Sequence, residues 1–279
     1  MRRYDIDALD NRDPRAIERF AGLVEHTLRP WFRYELKGVE RVPSGAALYV
    51  GNHNGALMPV DAFLFGVAAF RALGEDGMPY GLGHEVAISF PLLHQIIVPL
   101  GAVRASHRNA HRVFEGGHKA LVYPGGDFDA MRPFRRRNQI VFGGRKGYVR
   151  LAVREGVPIV PVVTAGAHAT LVVVDDLRWL ARLLRSERWL RTKVFPLAFS
   201  LPWGFTLGPP PPHLPLPSRI LAEVLAPIHF DRSGEGAAGD EEYIAQCDHE
   251  VRSAMQATMD RLVEERRRRG GFLGGILGR

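Results

Sequence analysis

Short apolar runs recur along this chain at 46–50, 79–82, 97–103, 119–123 and 157–163, and segments with helical potential (61–73, 107–117, 146–155) separate them. Runs of four to seven residues are too short for buried helices and have the length of buried strands. Strands alternating with helices build an α/β layer structure, so the expected fold is one α/β domain with a mixed, mostly parallel central sheet flanked by helices. Its first strand, Ala46 to Val50, ends at Gly51 and runs into "NHNGALMPVD". Parallel sheets place reacting groups on the loops that leave their strands, which puts His53 where chemistry is expected.

Both ends differ from this core. Asp13-Pro14 reads as a helix start, followed by Ile17, Phe20, Ala21, Val24 and Leu28 at helical spacing. From about Asp240 a long helix is expected, with Ile244, Cys247, Val251, Met255, Met259 and Leu262 on one face. Residues 175–191 read as a helix with Trp179, Leu180, Leu183, Leu184 and Leu190 opposite Arg182, Arg185 and Arg188, and the proline run at 208–219 as an extended spacer. The division is therefore an amphipathic helical segment at 1–45, an α/β domain at 46–235, and a helix with a basic, apolar tail at 236–279.

The formal charge of +7 comes almost entirely from arginine, since lysine occurs only at 37, 119, 146 and 193. Guanidinium groups pair with phosphate, and a GC-rich genome also enriches arginine, so charge by itself selects no function. A single cysteine excludes an internal disulfide and a cysteine metal cluster. The first residues lack an apolar core of signal-peptide length, and no apolar stretch is long enough to span a bilayer. The expected location is cytoplasmic, peripheral on the inner face of the cell membrane.

Chemistry gathers in two stretches. A histidine near its ordinary pKa takes a proton from a hydroxyl at neutral pH, and a carboxylate on its other nitrogen supports the imidazolium. His53 and Asp61 offer that pair, provided that the loop turns back, because eight residues of continuous helix span roughly 12 Å. In "KALVYPGGDFDAMRPFRRRNQIVFGGRKG", a strand runs into Pro124, Gly125 and Gly126, a turn whose N–H groups suit an oxyanion or phosphate, followed by Asp127, Arg132, Arg145 and Lys146.

The ordered blocks "GNHNGALMPVD", "PLGAVRAS", "LVYPGGDFDAMRP" and "GVPIVPVVTAGAH" resemble the four motif blocks of the lysophospholipid acyltransferase-like family, over about residues 46–168. The resemblance implies that His53 is a general base and Asp61 its orienter. It also implies a thioester donor, acyl-CoA or acyl-carrier protein, and a lipid acceptor such as a lysophospholipid or glyceride. No metal or other cofactor is expected. Substrate-binding roles would fall to Asn52, Asn54, Arg104, Pro124, Gly125, Gly126, Asp127, Arg132, Arg145 and Lys146.

Two departures stand out. Seven residues separate His53 from Asp61 where the family has four, so the corner must bulge. Gly125 stands where the family has Glu, and Phe128 where Arg is common, which brings a neutral glyceride, another lipid alcohol or a glycolipid level with glycerol phosphate as acceptor. Amphipathic, basic segments suit an anionic membrane surface. The competing readings are a non-catalytic anionic-membrane or nucleic-acid binding protein and an acyl thioesterase; nucleic acid is not expected as a partner. His107 and His111 at helical spacing suggest a metal hydrolase, but flanking arginines repel a cation; a G-x-S-x-G elbow is absent, and no G-x-G-x-x-G directly follows a strand.

Overall fold

The computed structural model describes residues 3–54, 60–189 and 192–270. Among them, seven strands form one sheet: β1 (Glu35–Lys37), β2 (Ala47–Gly51), β3 (Tyr80–Gly83), β4 (Ala102–Arg104), β5 (Lys119–Val122), β6 (Ile159–Ala165) and β10 (Leu221–Val224), in the order β1-β10-β6-β2-β5-β3-β4. Every pair from β6 to β4 is parallel, and β10 turns antiparallel against β6. The mixed, mostly parallel sheet expected from the sequence is thus present. Strands β2 and β6 are buried at every residue, as expected of central strands covered on both faces.

Helices cover the sheet. Pro14–His26 begins at Asp13, whose carboxylate accepts from the N–H groups of Arg15 and Ala16, and it buries Ile17, Ala21 and Val24. Val60–Leu73 follows β2, and Glu241–Arg268 packs on β6 and on helix Gly147–Glu155 with Ile244, Cys247, Val251, Met255, Met259 and Leu262 buried. Residues from 1–45 and 236–279 therefore enter the same core as the α/β domain: β1 pairs with β10, and Lys37 on β1 is bridged to Glu265 on the last helix at 2.6 Å. No helix among the described residues is long and apolar enough to cross a membrane.

Three local expectations are corrected. The apolar run at 97–103 yields only the short strand β4, because Pro91–Ile97 before it is helical. The helix expected over 175–191 is broken into Arg178–Leu183 and Ser186–Trp189 at Arg185, whose φ of +50° leaves the helical region. Residues Val172–Asp175, Leu197–Ser200 and Gly204–Leu207 form β7, β8 and β9 of a second, antiparallel sheet that the sequence reading did not anticipate. The helix start at Pro59, the residues Leu190 and Arg191, and the apolar tail from residue 271 lie outside the described residues.

Candidate active site

Strands β6, β2 and β5 are neighbours and run the same way, so their carboxyl ends open side by side, the usual place for a ligand crevice in such sheets. His53 follows β2, Tyr123 to Asp129 follow β5, and Thr164 to His168 lie at the end of β6. At the end of β2 only glycine fits, because a Cβ on Gly51 would come within 2.5 Å of the Tyr123 ring. That ring stacks on the His53 imidazole with centroids 4.7 Å apart and planes inclined by 27°.

The backbone of His53 is clamped from both sides. Its N–H donates to Asp129 Oδ2 at 2.5 Å, and its carbonyl accepts from Arg132 Nη1 at 3.1 Å. Asp129 and Arg132 are themselves an ion pair, both fully buried. Arg132 further donates to Asn54 Oδ1 and to the carbonyls of Arg136 and Arg137. Asn52 pins the same loop to β6, donating to the Thr164 carbonyl at 3.0 Å and accepting from the Thr164 N–H at 2.8 Å. Asn54 donates to the Asn52 carbonyl and, at 3.1 Å, to Asp61 Oδ2. His53 and Asp61 thus belong to one buried network linked through Asn54. Each also keeps a buried atom, Nδ1 of His53 and Oδ1 of Asp61, without a hydrogen bond among the described residues.

Burial sets the electrostatics. It pushes His53 down to about 4, helped by the Arg132 charge, so the imidazole is neutral at neutral pH. Burial pushes Asp61 up to about 7 against the hydrogen bonds from Asn54 and the Ala62 N–H, with the Asp129 charge adding to the rise. Asp129 is likewise raised to about 6 by burial, opposed by Arg132 and by the His53 N–H. The network therefore holds a neutral imidazole and two carboxyls whose ionisation burial moves toward neutrality, a combination of perturbed groups of the kind found at functional sites.

The remaining expected site residues separate into groups. Gly125 has no room for any side chain, since a Cβ would lie 2.2 Å from Asp129 Cβ and 2.4 Å from the Val141 carbonyl oxygen. Gly126 donates its N–H to the Tyr123 carbonyl, which removes it as an oxyanion donor. Beside Pro124, Arg145 clips the turn, donating to the Gly125 carbonyl and to Asp127 Oδ1 at 2.7 Å each. Asp127 also accepts from the Lys193 N–H; burial works against its ionisation, and these hydrogen bonds hold its pKa below the ordinary value. Lys146 lines a surface cleft of about 800 Å³ with Arg136, Arg145 and Arg252.

Arg132 and Arg104 are both engaged by the protein itself. Arg132 is buried with its guanidinium committed to the protein, which makes it a positioning residue. Arg104 ends β4, three strands away from β2, and pairs with Asp7 of the N-terminal segment. Sequence reasoning missed Tyr123, Tyr34 and His168. The Tyr34 hydroxyl is buried with its pKa raised by burial and by Asp61, and His168 donates through Nε2–H to the Arg132 carbonyl at 2.7 Å, its pKa lowered by burial. Gly51, a glycine ending an apolar strand, was the one available signal that an aromatic ring lies against it.

Residues 33–165 match the family model described as Acyltransferase. An uncharacterized protein of Mycobacterium tuberculosis is 30% identical over 88% of this chain and 66% of its own length. The mouse protein named DGAT1/2-independent enzyme synthesizing storage lipids is 28% identical over 70% of this chain and 57% of its own. This chain therefore spans less than two thirds of the relatives it matches. Among solved structures, the 1-acyl-sn-glycerophosphate (LPA) acyltransferase PlsC of Thermotoga maritima shares the fold, with a TM-score of 0.53 and 16% identity over 88% of this chain and 79% of that one. Residues 33–165 thus carry the Acyltransferase family's pattern, and in motif order and α/β fold the chain is similar to the lysophospholipid acyltransferase-like family.

Proposed function

We propose that the protein transfers a fatty acyl group from a thioester, acyl-CoA or acyl-carrier protein, to the hydroxyl of a membrane lipid. The observation that carries this reading is the neutral His53 imidazole, its Nδ1 unpartnered among the described residues, held in one network with Asp61 through Arg132 and Asn54 at the carboxyl ends of the central strands. His53 removes the proton of the acceptor hydroxyl, whose oxygen attacks the thioester carbonyl. The tetrahedral intermediate collapses, the C–S bond breaks, and the proton held by His53 leaves with the thiolate as thiol. Asp61 stabilises the imidazolium between the two transfers. The backbone N–H groups of Gly125 and Asp127 are the proposed oxyanion donors.

The acceptor is proposed to be a neutral lipid alcohol such as a glyceride. With no side chain possible at Gly125 and Arg132 consumed internally, the turn lacks the acid and base that would hold a glycerol phosphate. The name of the mouse relative, an enzyme synthesizing storage lipids, points the same way. The phosphates of the donor are assigned to the basic rim of the cleft at Arg136, Lys146 and Arg252. Such an enzyme works at the inner face of the cell membrane, where donor and acceptor meet.

Thiol release from a panel of acyl-CoAs, with and without mixed glycerides and lysophospholipids, tests the reading. Acceptor-dependent release that is lost in His53→Ala is the expected result. Release that needs no acceptor would replace acyl transfer by thioester hydrolysis.

A further inference from the structure

In an antiparallel sheet with one face in water, apolar and polar residues alternate along each strand. The sheet β7-β8-β9 does not follow this. Its inner positions, Val173 and Ala198, are buried against Ala130, Met131 and Val194. The outer positions are mostly apolar as well: the register sets Val172, Phe199 and Phe205 in one row, and Leu197 and Leu207 in the next beside Asp175, which pairs with Arg135. Phe205 is 71% exposed, Leu207 59%, and Trp203, one alternation earlier, 55%. A sheet that is apolar on both faces is a sheet made to be covered on both.

We propose that the outer face of β8 and β9 is the surface by which this protein docks on an anionic phospholipid bilayer, with Trp203, Phe205 and Leu207 entering the interfacial layer. Two observations select a bilayer. The chain between β7 and β8 exposes Arg182, Arg185 and Arg188 beside exposed Trp179 and Leu183, a cationic fringe with an aromatic anchor that complements acidic headgroups. The sheet is also built onto the candidate active site: its inner face packs on Ala130 and Met131, and the Thr192 hydroxyl and Lys193 N–H at its base both donate to Asp127. A bilayer seated on this face meets the protein next to the turn that holds His53. The choice of occupant rests on the lipid-acceptor reading, whereas the apolar face itself does not.

The test is sedimentation of the full chain with vesicles of phosphatidylcholine alone or mixed with phosphatidylglycerol. Wild type is compared with the double variant Phe205→Ser/Leu207→Ser and with the triple variant Arg182→Gln/Arg185→Gln/Arg188→Gln. Both sets of side chains are exposed, so unchanged circular dichroism melts serve as the folding control. At least a tenfold loss of vesicle binding in the double variant, and loss of the preference for phosphatidylglycerol in the triple variant, are expected. Wild-type binding in both variants overturns the proposal, and so does a concentration-dependent dimer that the double variant abolishes while vesicle binding persists. Acyl transfer to a detergent-dispersed glyceride is followed in parallel. Intact vesicle binding without any transfer would sink the enzymatic reading and leave the docking face standing.

Discussion

At the scale of single residues, the network around His53 separates the proposed base from the groups that hold it. His53→Ala removes the proposed base and is expected to lower kcat by roughly 10²–10⁴-fold with an unchanged fold, read by acyl transfer and circular dichroism. Arg132 is a different case. It touches no open surface, and its loss strands Asp129 as a buried, uncompensated carboxyl. Arg132→Ala is therefore expected to destabilise the protein by about 3–5 kcal/mol in urea titration, with Arg132→Ala/Asp129→Asn recovering part of that. Equal losses in the single and double variants would show that the pair is not what anchors the loop. The pH profile tests Asp61. If the Asp61 carboxylate supports the imidazolium, wild-type kcat/KM falls as pH drops through about 7, the value to which burial raises Asp61. In Asp61→Asn the plateau is lower, and the acid limb moves toward about 4, where His53 itself titrates. An unmoved limb would transfer the partner role to another carboxyl.

At the scale of elements, the sequence was most informative where one local pattern decided the outcome. Strands β2, β5 and β6 are apolar runs ended by Gly or Pro, and the long helix Glu241–Arg268 repeats its apolar face over about five turns, so periodicity alone located them. The small sheet was hidden because its strands are apolar on both faces and too short to alternate visibly, and because β7 abuts a segment with helical spacing. At the site, His53 was legible from its place after a strand. The clamp by Asp129 and Arg132 was not, because it joins residues 76 and 79 positions away through backbone groups that no motif records. Gly125 ties sequence to geometry most directly. Gly125→Ala would place a methyl group against Asp129 Cβ and the Val141 carbonyl, both within 2.4 Å. The turn must shift to admit it, and Asp129 is then pulled from the His53 N–H. Both a lower Tm and a fall in kcat are expected, whereas Gly144→Ala, where nothing lies within 4 Å but φ is +76°, is expected to cost only backbone strain of about 1 kcal/mol and leave kcat unchanged.

At the scale of the whole molecule, the buried groups of the site shape how stability responds to pH. His53 and His168 have folded pKa values below the ordinary 6.5, so between about pH 4.5 and 6 the unfolded chain binds more protons at these two positions, and stability rises with pH. Asp61 and Asp129 are raised to about 7 and about 6, so the folded chain keeps protons that the unfolded chain has released, and stability falls as pH rises over the same window. Two groups act in each direction, and near pH 5 their contributions oppose one another at about 1.4 kcal/mol per pH unit for each proton. Removing one member exposes the others. Relative to wild type, Asp61→Asn is expected to gain stability with rising pH across this window at about that slope, and His53→Gln to lose it at a similar slope. Taking the difference from wild type cancels the surface carboxylates, which titrate alike in all three proteins. Urea unfolding at several pH values between about 4.5 and 6 measures both slopes. Parallel curves for the three proteins would mean that His53 and Asp61 titrate as they do in the unfolded chain, and that the site is open to water. Opposite slopes would establish that the fold holds a neutral base beside a reluctant acid, the state from which a hydroxyl proton can be taken at neutral pH.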